Sequence, residues 1–167
     1  TPTNHMVNDA TNTVSGSINP RVDATYDLGT PTEQWNVIYR HTVEATYADL
    51  AERYEADAVY EPGTVLMIGG DKEVTIACLH ATTAVAGVVS TNPAYMLNSE
   101  AGTDETHPYI ALKGRVPCKV VGSINKGDLL VTSTYPGYAG SATHPNAGTI
   151  IGKALGSQSE GFGVIEV

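Results

Sequence analysis

The chain predicts an all-β body, on three observations. From about residue 64 onward, short apolar runs of strand length alternate with Gly- and Pro-bearing turns. Those runs are rich in Val, Ile, Thr and Tyr, the residues that suit a pleated, half-buried surface. A pair of Gly-centred motifs also recurs along the chain in the same order. Together they point to a short-strand β-barrel or sandwich with an internal pseudo-repeat, preceded by an extended N-terminal segment and one short helix. The expected division is 1–44 for the leader and 45–167 for the all-β domain.

The first 25 or so residues are polar, with only scattered apolar positions at Met6, Val7, Val14, Ile18 and Val22. Such a segment cannot bury a core alone, so extension along a partner chain is expected. Next comes a helix-start signature: Thr30 as N-cap, Pro31 at the first helical position and Glu33 three residues on. This predicts a short helix near 31–38, bearing the only Trp at position 35 with Ile38 and Tyr39. Those three side chains form the candidate trimer contact.

Residues 48–58 are ambiguous. Leu50, Ala51, Tyr54 and Ala58 fit a helical stripe, whereas Leu50, Glu52, Tyr54, Ala56 and Ala58 fit one face of a strand, and strand is preferred. Further strands are expected over 64–68, 73–79, 84–90, 109–121, 128–133, 148–155 and 161–167. The turns between them are set by Gly69-Gly70-Asp71, Asn125-Lys126-Gly127 and Tyr135-Pro136-Gly137. Residues 98–108 are polar throughout and read as an exposed loop. The repeat places Glu61-Pro62-Gly63-Thr64-Val65-Leu66 against Asn125-Lys126-Gly127-Asp128-Leu129-Leu130, and Val85-Ala86-Gly87-Val88-Val89 against Ile150-Ile151-Gly152-Lys153-Ala154. The Gly offsets are 64 and 65 residues, so two such halves are expected to interlock as a pseudo-symmetric barrel.

Composition narrows the function. The chain has 167 residues, a net charge of -9 and only 16% charged residues, which removes the basic footprint of nucleic-acid binding. No apolar run approaches the ~18 residues of a membrane span, and the start has neither a basic nor an apolar leader region, so a soluble chain without membrane insertion is expected. Cys78 and Cys118 each sit in an apolar strand-like run and read as free, buried core thiols. Phosphate loops, dinucleotide fingerprints, nucleophile elbows and zinc-protease motifs are absent, and no cofactor is expected. The five His are far apart in sequence, and no metal site is expected. The acidic group Asp49, Glu52, Glu55, Asp57 and Glu61 reads as a solvated face. Its alternatives are a hard-cation site or an acid–base pair. Lys126-Gly127-Asp128 is a turn rather than an adhesion motif. Nine Tyr against one Phe and one Trp suit half-wet contact surfaces, and Tyr135 and Tyr138, flanking Pro136-Gly137, are the candidate binding residues.

Two stretches carry a resemblance. Residues Asn19 to Tyr39, with Tyr26-Asp27-Leu28-Gly29, Trp35 and Ile38-Tyr39, resemble an element that precedes C-terminal domains in tailed-phage fibre and appendage proteins. Residues from about 45 to 167 are similar to the C-terminal G2-peptidase, or intramolecular-chaperone, domain of phage appendages. The similarity is carried by Ala48-Asp49-Leu50-Ala51-Glu52, Pro62-Gly63-Thr64-Val65, Ala86-Gly87-Val88-Val89-Ser90 and Lys113-Gly114-Arg115-Val116-Pro117. The resemblance implies a homotrimeric structural virion protein, made in the host cytoplasm, whose distal domain supports trimer assembly alongside other virion proteins. Self-cleaving members carry Ser-Asp-x-Ala-Glu at the scissile site. Asp49 and Glu52 match as the candidate catalytic pair, while Ala48 stands where those members have Ser and offers no hydroxyl nucleophile. A non-enzymatic module is therefore the leading expectation, with a self-processing peptidase or a carbohydrate-binding module as alternatives. Recognition of a host-surface glycan or protein through residues 98–108 and 134–147 is a further expectation.

Overall fold

The computed structural model describes residues 20–167. Met6, Val7, Val14 and Ile18, on which part of the extended leader was expected, lie outside the described residues. The chain divides into two compact units, Thr1–Val43 and Glu44–Val167.

Between Pro20 and Val43 there is neither helix nor strand, so the helix expected near 31–38 does not form. Its capping bond nonetheless exists: the Glu33 N–H donates to Thr30 Oγ1 at 3.0 Å. Thr30 and Glu33 then also exchange both backbone hydrogen bonds, at 3.1 and 3.2 Å, and close a tight turn. That turn returns the Glu33 carbonyl to the Thr30 N–H, whereas a helix would have directed it forward to the N–H of Val37. Beyond it, Val37 and Ile38 are β-branched, and a helix of two turns cannot repay its nucleation without a surface to pack on.

The larger unit is all-β. Eleven strands run in order: β1 (Asp49–Arg53), β2 (Val65–Ile68), β3 (Val74–Ile76), β4 (Val85–Val89), β5 (Tyr95–Leu97), β6 (Tyr109–Gly114), β7 (Pro117–Val121), β8 (Leu129–Thr132), β9 (Ala139–Ala142), β10 (Ile150–Lys153) and β11 (Phe162–Glu166). They form two mixed sheets, ordered β3-β2-β4-β6-β1-β5 and β10-β8-β9-β7-β11. The ambiguous stretch at 48–58 is thus a strand where it is regular. The single strand expected over 109–121 is broken. At Gly114 (φ +121°) a β carbon would lie 2.1 Å from the Ala48 carbonyl oxygen, and Pro117 restarts the pairing as the first residue of β7. Strands β5 and β9 go beyond the expected set, and β9 lies inside the 134–147 stretch expected to offer host-recognition residues.

The internal repeat is a structural one. The Thr64 N–H donates to the Glu61 carbonyl as the Asp128 N–H donates to that of Asn125, and Gly63 and Gly127 take positive φ of 84° and 97° in the two turns. Gly63 donates to the Val89 carbonyl and Gly127 to that of Ala154. In return Val89 donates to the Thr64 carbonyl and Ala154 to that of Asp128. Leu66 stands opposite Gly87 in the β2–β4 ladder, and Leu130 opposite Gly152 in the β8–β10 ladder. A parallel bridge joins Ala56 to Val74, and its counterpart joins Val120 to Ala139.

The halves do not interlock as one barrel. Each forms its own sheet, and the two pack against one shared core of Val65, Ala77 and Val88 from the first with Val120, Ile124, Leu130 and Ile165 from the second. A smaller cluster, Leu66, Val74, Val89 and Ile110, lies within the first sheet. Burying apolar faces of two short sheets against each other is the sandwich solution.

The paired glycines separate two costs. At Gly87 (φ +152°) a β carbon would sit 2.7 Å from the Ala111 carbonyl oxygen and from Ile110 Cγ2, whereas at Gly127 (φ +97°) nothing lies within 4 Å. Gly87→Ala should therefore cost at least ~2 kcal/mol of unfolding free energy and Gly127→Ala about 1 kcal/mol, read as urea midpoints at constant slope.

Candidate functional site

Asp49 opens β1 and is 5% exposed. Ser90, just after β4, donates its hydroxyl to Asp49 Oδ2 at 2.6 Å, a charge-assisted bond that compensates the burial of the carboxylate. Around it lies a cleft of about 410 Å³ lined by Tyr47, Ala48, Asn92, Arg115 and Glu166 among others. The Ala48 carbonyl accepts the Arg115 N–H at 3.2 Å and is covered by Gly114. Glu52 is half-buried and does not line this cleft. Strand alternation turns Asp49 and Ala51 to one side of β1 and Leu50 and Glu52 to the other, and Glu52 accepts the Tyr54 hydroxyl at 3.3 Å. Burial, followed by the charge of Glu52, pushes the Tyr54 phenol up. The two carboxylates are therefore not directed at one peptide bond.

The rest of the acidic group disperses in the same way. Glu55 binds Lys72 at 2.7 Å, Asp57 accepts the Tyr60 hydroxyl, and Glu61 binds Lys119 at 3.0 Å. Hydroxyls of Thr75 and Tyr60 hold the Asp57 carboxyl below its usual range, and the Lys72 partner does the same for Glu55. Among the described residues no three of His, Cys, Asp and Glu converge as metal ligands would.

Trp35, Ile38 and Tyr39 are all exposed within the leader, Tyr39 at 94%. Trp35 and Ile38 border a shallow hollow of about 300 Å³ with Leu28 and Pro31. Tyr135 and Tyr138 come together in the structure. Both pack edge-to-face on Phe162, with ring centroids 5.2 and 5.0 Å away. Phe162 had no place in the sequence-based site, since nothing in its local pattern pairs it with a turn some 25 residues earlier.

Arg53 was also missed. Its guanidinium lies 4.0 Å from the centre of the Tyr109 ring, pairs with Asp104 at 2.9 Å and donates to the His107 carbonyl. Its Nε is buried and has no hydrogen-bond partner among the described residues. These bonds pin residues 104–107, so the polar 98–108 loop is tied down at its end. The one cation between Asp49 and Asp57 was the available signal.

Cys118 is buried as expected, and Cys78 is exposed, contrary to expectation, because β3 stops at Ile76 and the chain leaves the core after Ala77. Burial pushes the Cys118 thiol up to about 12.

No protein-family model matches this chain, and no curated protein is similar to it.

Two tests follow from this geometry. Ser90→Ala leaves the buried Asp49 carboxylate without its hydroxyl donor and should lower stability by ~1–3 kcal/mol in urea titrations. In native protein a disulfide reagent should label Cys78 promptly and Cys118 only after denaturant is added, giving one fast thiol per chain by absorbance.

Proposed function

We propose that this chain is a structural module of a virion, the distal domain of a homotrimeric phage tail fibre or appendage, whose role is assembly rather than chemistry. The supporting observation is the run of large apolar side chains left in solvent between residues 22 and 47. Leu28, Trp35, Val37, Ile38 and Tyr39 are all more than half exposed in a segment with no helix or strand of its own. A chain that spends ordering entropy on such a segment recovers it only by burying those side chains against something else, and copies of itself about a shared axis are the simplest source. The resemblance of Tyr26-Asp27-Leu28-Gly29 and Ala48-Asp49-Leu50-Ala51-Glu52 to phage-appendage motifs supports the same reading and is the reason for choosing three copies.

An assembly role also suits Asp49 and Glu52. With Ala48 lacking a hydroxyl and Asp49 buried and bound to Ser90, the acidic pair serves as structural polarity rather than as the working groups of a self-cleaving intramolecular chaperone. Light scattering should give three times the 17.5 kDa of one chain. Intact-mass analysis of freshly made protein should give a single uncut species. A monomer at micromolar concentration, with Trp35 already shielded from quencher, would sink the trimer. A fragment beginning at Asp49 would restore the peptidase.

A further inference from the structure

A second surface of the molecule has the composition of a ligand site. The turn Tyr135-Pro136-Gly137-Tyr138 is held from every side. Ser133 Oγ accepts the Tyr135 N–H at 3.1 Å and lies 3.0 Å from the Tyr135 carbonyl, to which it donates, and the Tyr138 N–H closes the turn on that carbonyl at 3.1 Å. Gly137 donates to the Ala77 carbonyl at 2.8 Å and accepts the Val65 N–H at 2.9 Å, which fastens the turn to the first sheet. The backbone that carries the two aromatic rings is thus held before any partner arrives, which lowers the entropic cost of binding.

Phe162 of β11, 59% exposed, joins Tyr135, 53% exposed, and Tyr138 to make a three-ring surface. The Tyr138 ring also forms one wall of a cleft of about 350 Å³, shared with Tyr60, Glu61, Thr64, Lys119 and Pro136. Within that cleft Lys119 Nζ donates to Glu61 Oε2 and to Thr64 Oγ1, both at 3.0 Å. An ammonium has three N–H donors, so one is left over, and the exposed Glu61 carboxylate keeps Oε1 as a spare acceptor. The hydroxyls of Tyr135 and Tyr138 have no hydrogen-bond partner among the described residues. Apolar ring surface therefore borders a donor and an acceptor whose charges cancel, in a protein whose net charge of -9 repels anions.

We propose that this cleft binds a neutral pyranose sugar, with the C–H face of the ring on Tyr138 and its hydroxyls shared between Lys119 and Glu61. The chemistry fits a pyranose because one face of the ligand is apolar while its rim both donates and accepts hydrogen bonds. A uronic or sialic acid would confront Glu61, and a hydrophobic peptide would leave the Lys119–Glu61 pair desolvated and underused. The cleft is lined by no residue of the leader.

The test is saturation-transfer NMR on the full chain with the methyl glycosides of glucose, galactose and mannose and with N-acetylglucosamine, beside glucuronate and a proline-rich peptide. At least one neutral sugar should bind at millimolar concentration. Tyr138→Ala and, independently, the surface substitution Glu61→Gln should each weaken it by about tenfold or more, while Tyr95→Ala, on the edge strand β5, should leave it unchanged. Glu61→Gln guards against loss of folding at Tyr138. Failure of every neutral sugar to bind, preference for glucuronate or the peptide, or affinity that survives both substitutions would overturn the assignment.

Discussion

Close packing against a glycine governs the architecture. In each half of the domain a buried leucine, Leu66 or Leu130, stands across the ladder from a glycine, Gly87 or Gly152, and the strand register shifts beside that pair. A side chain at Gly87 would meet the backbone of β6, and one at Gly152 would meet Val167 at 2.6 Å. Because the neighbouring chain can come this close, β4 lies against both β2 and β6. The apolar sides of the two sheets then meet over Val65, Val88, Val120 and Leu130. The type of turn at Gly63 and Gly127 follows from the same plan, since each delivers its chain into the strand that faces the glycine.

Much of this was legible in the sequence, for reasons that can be located. Six of the strands are apolar runs bounded by turn chemistry, and their pattern is local. The repeat was legible because Gly63 and Gly127 take positive φ in equivalent turns and Gly87 and Gly152 have no room for a β carbon. The helix at Thr30 misled because its signature is genuine at the level of one hydrogen bond; whether a cap propagates depends on the residues that follow and on packing that short-range pattern does not encode. Strands β5 and β9 were hidden for a different reason. Tyr95–Leu97 is short and owes its extension to β1, far back along the chain, while Ala139–Ala142 pairs with the preceding β8 but consists of Ala, Gly and Ser, which carry no strand signal.

The sites divide along the same line. Residue type drew attention to the tyrosines of the Pro136-Gly137 turn, and the structure brings both rings onto Phe162. Residue type could not pair them with Phe162 of β11, nor with Lys119 and Glu61, which reach the Tyr138 cleft from separate parts of the chain. The carboxylates between Asp49 and Glu61 looked like a cluster only in one dimension. In space each finds its own partner: Ser90, Lys72 and Lys119 tie Asp49, Glu55 and Glu61 to the body of the domain, while Glu52 and Asp57 bond locally to Tyr54 and Tyr60.

The two halves are unequal in one respect. The first travels from β4 to β6 through residues 90–108, with β5 on the way, while the second makes the equivalent journey from β10 to β11 through residues 154–161 alone. Since the shorter route suffices to return the chain to its ladder, with Leu155 bonded to Glu166 as Ser90 is to Tyr109, the longer excursion is surplus to the frame. It is a place where such a domain can lengthen, shorten or exchange sequence and so acquire new surface while the duplicated scaffold beneath stays the same.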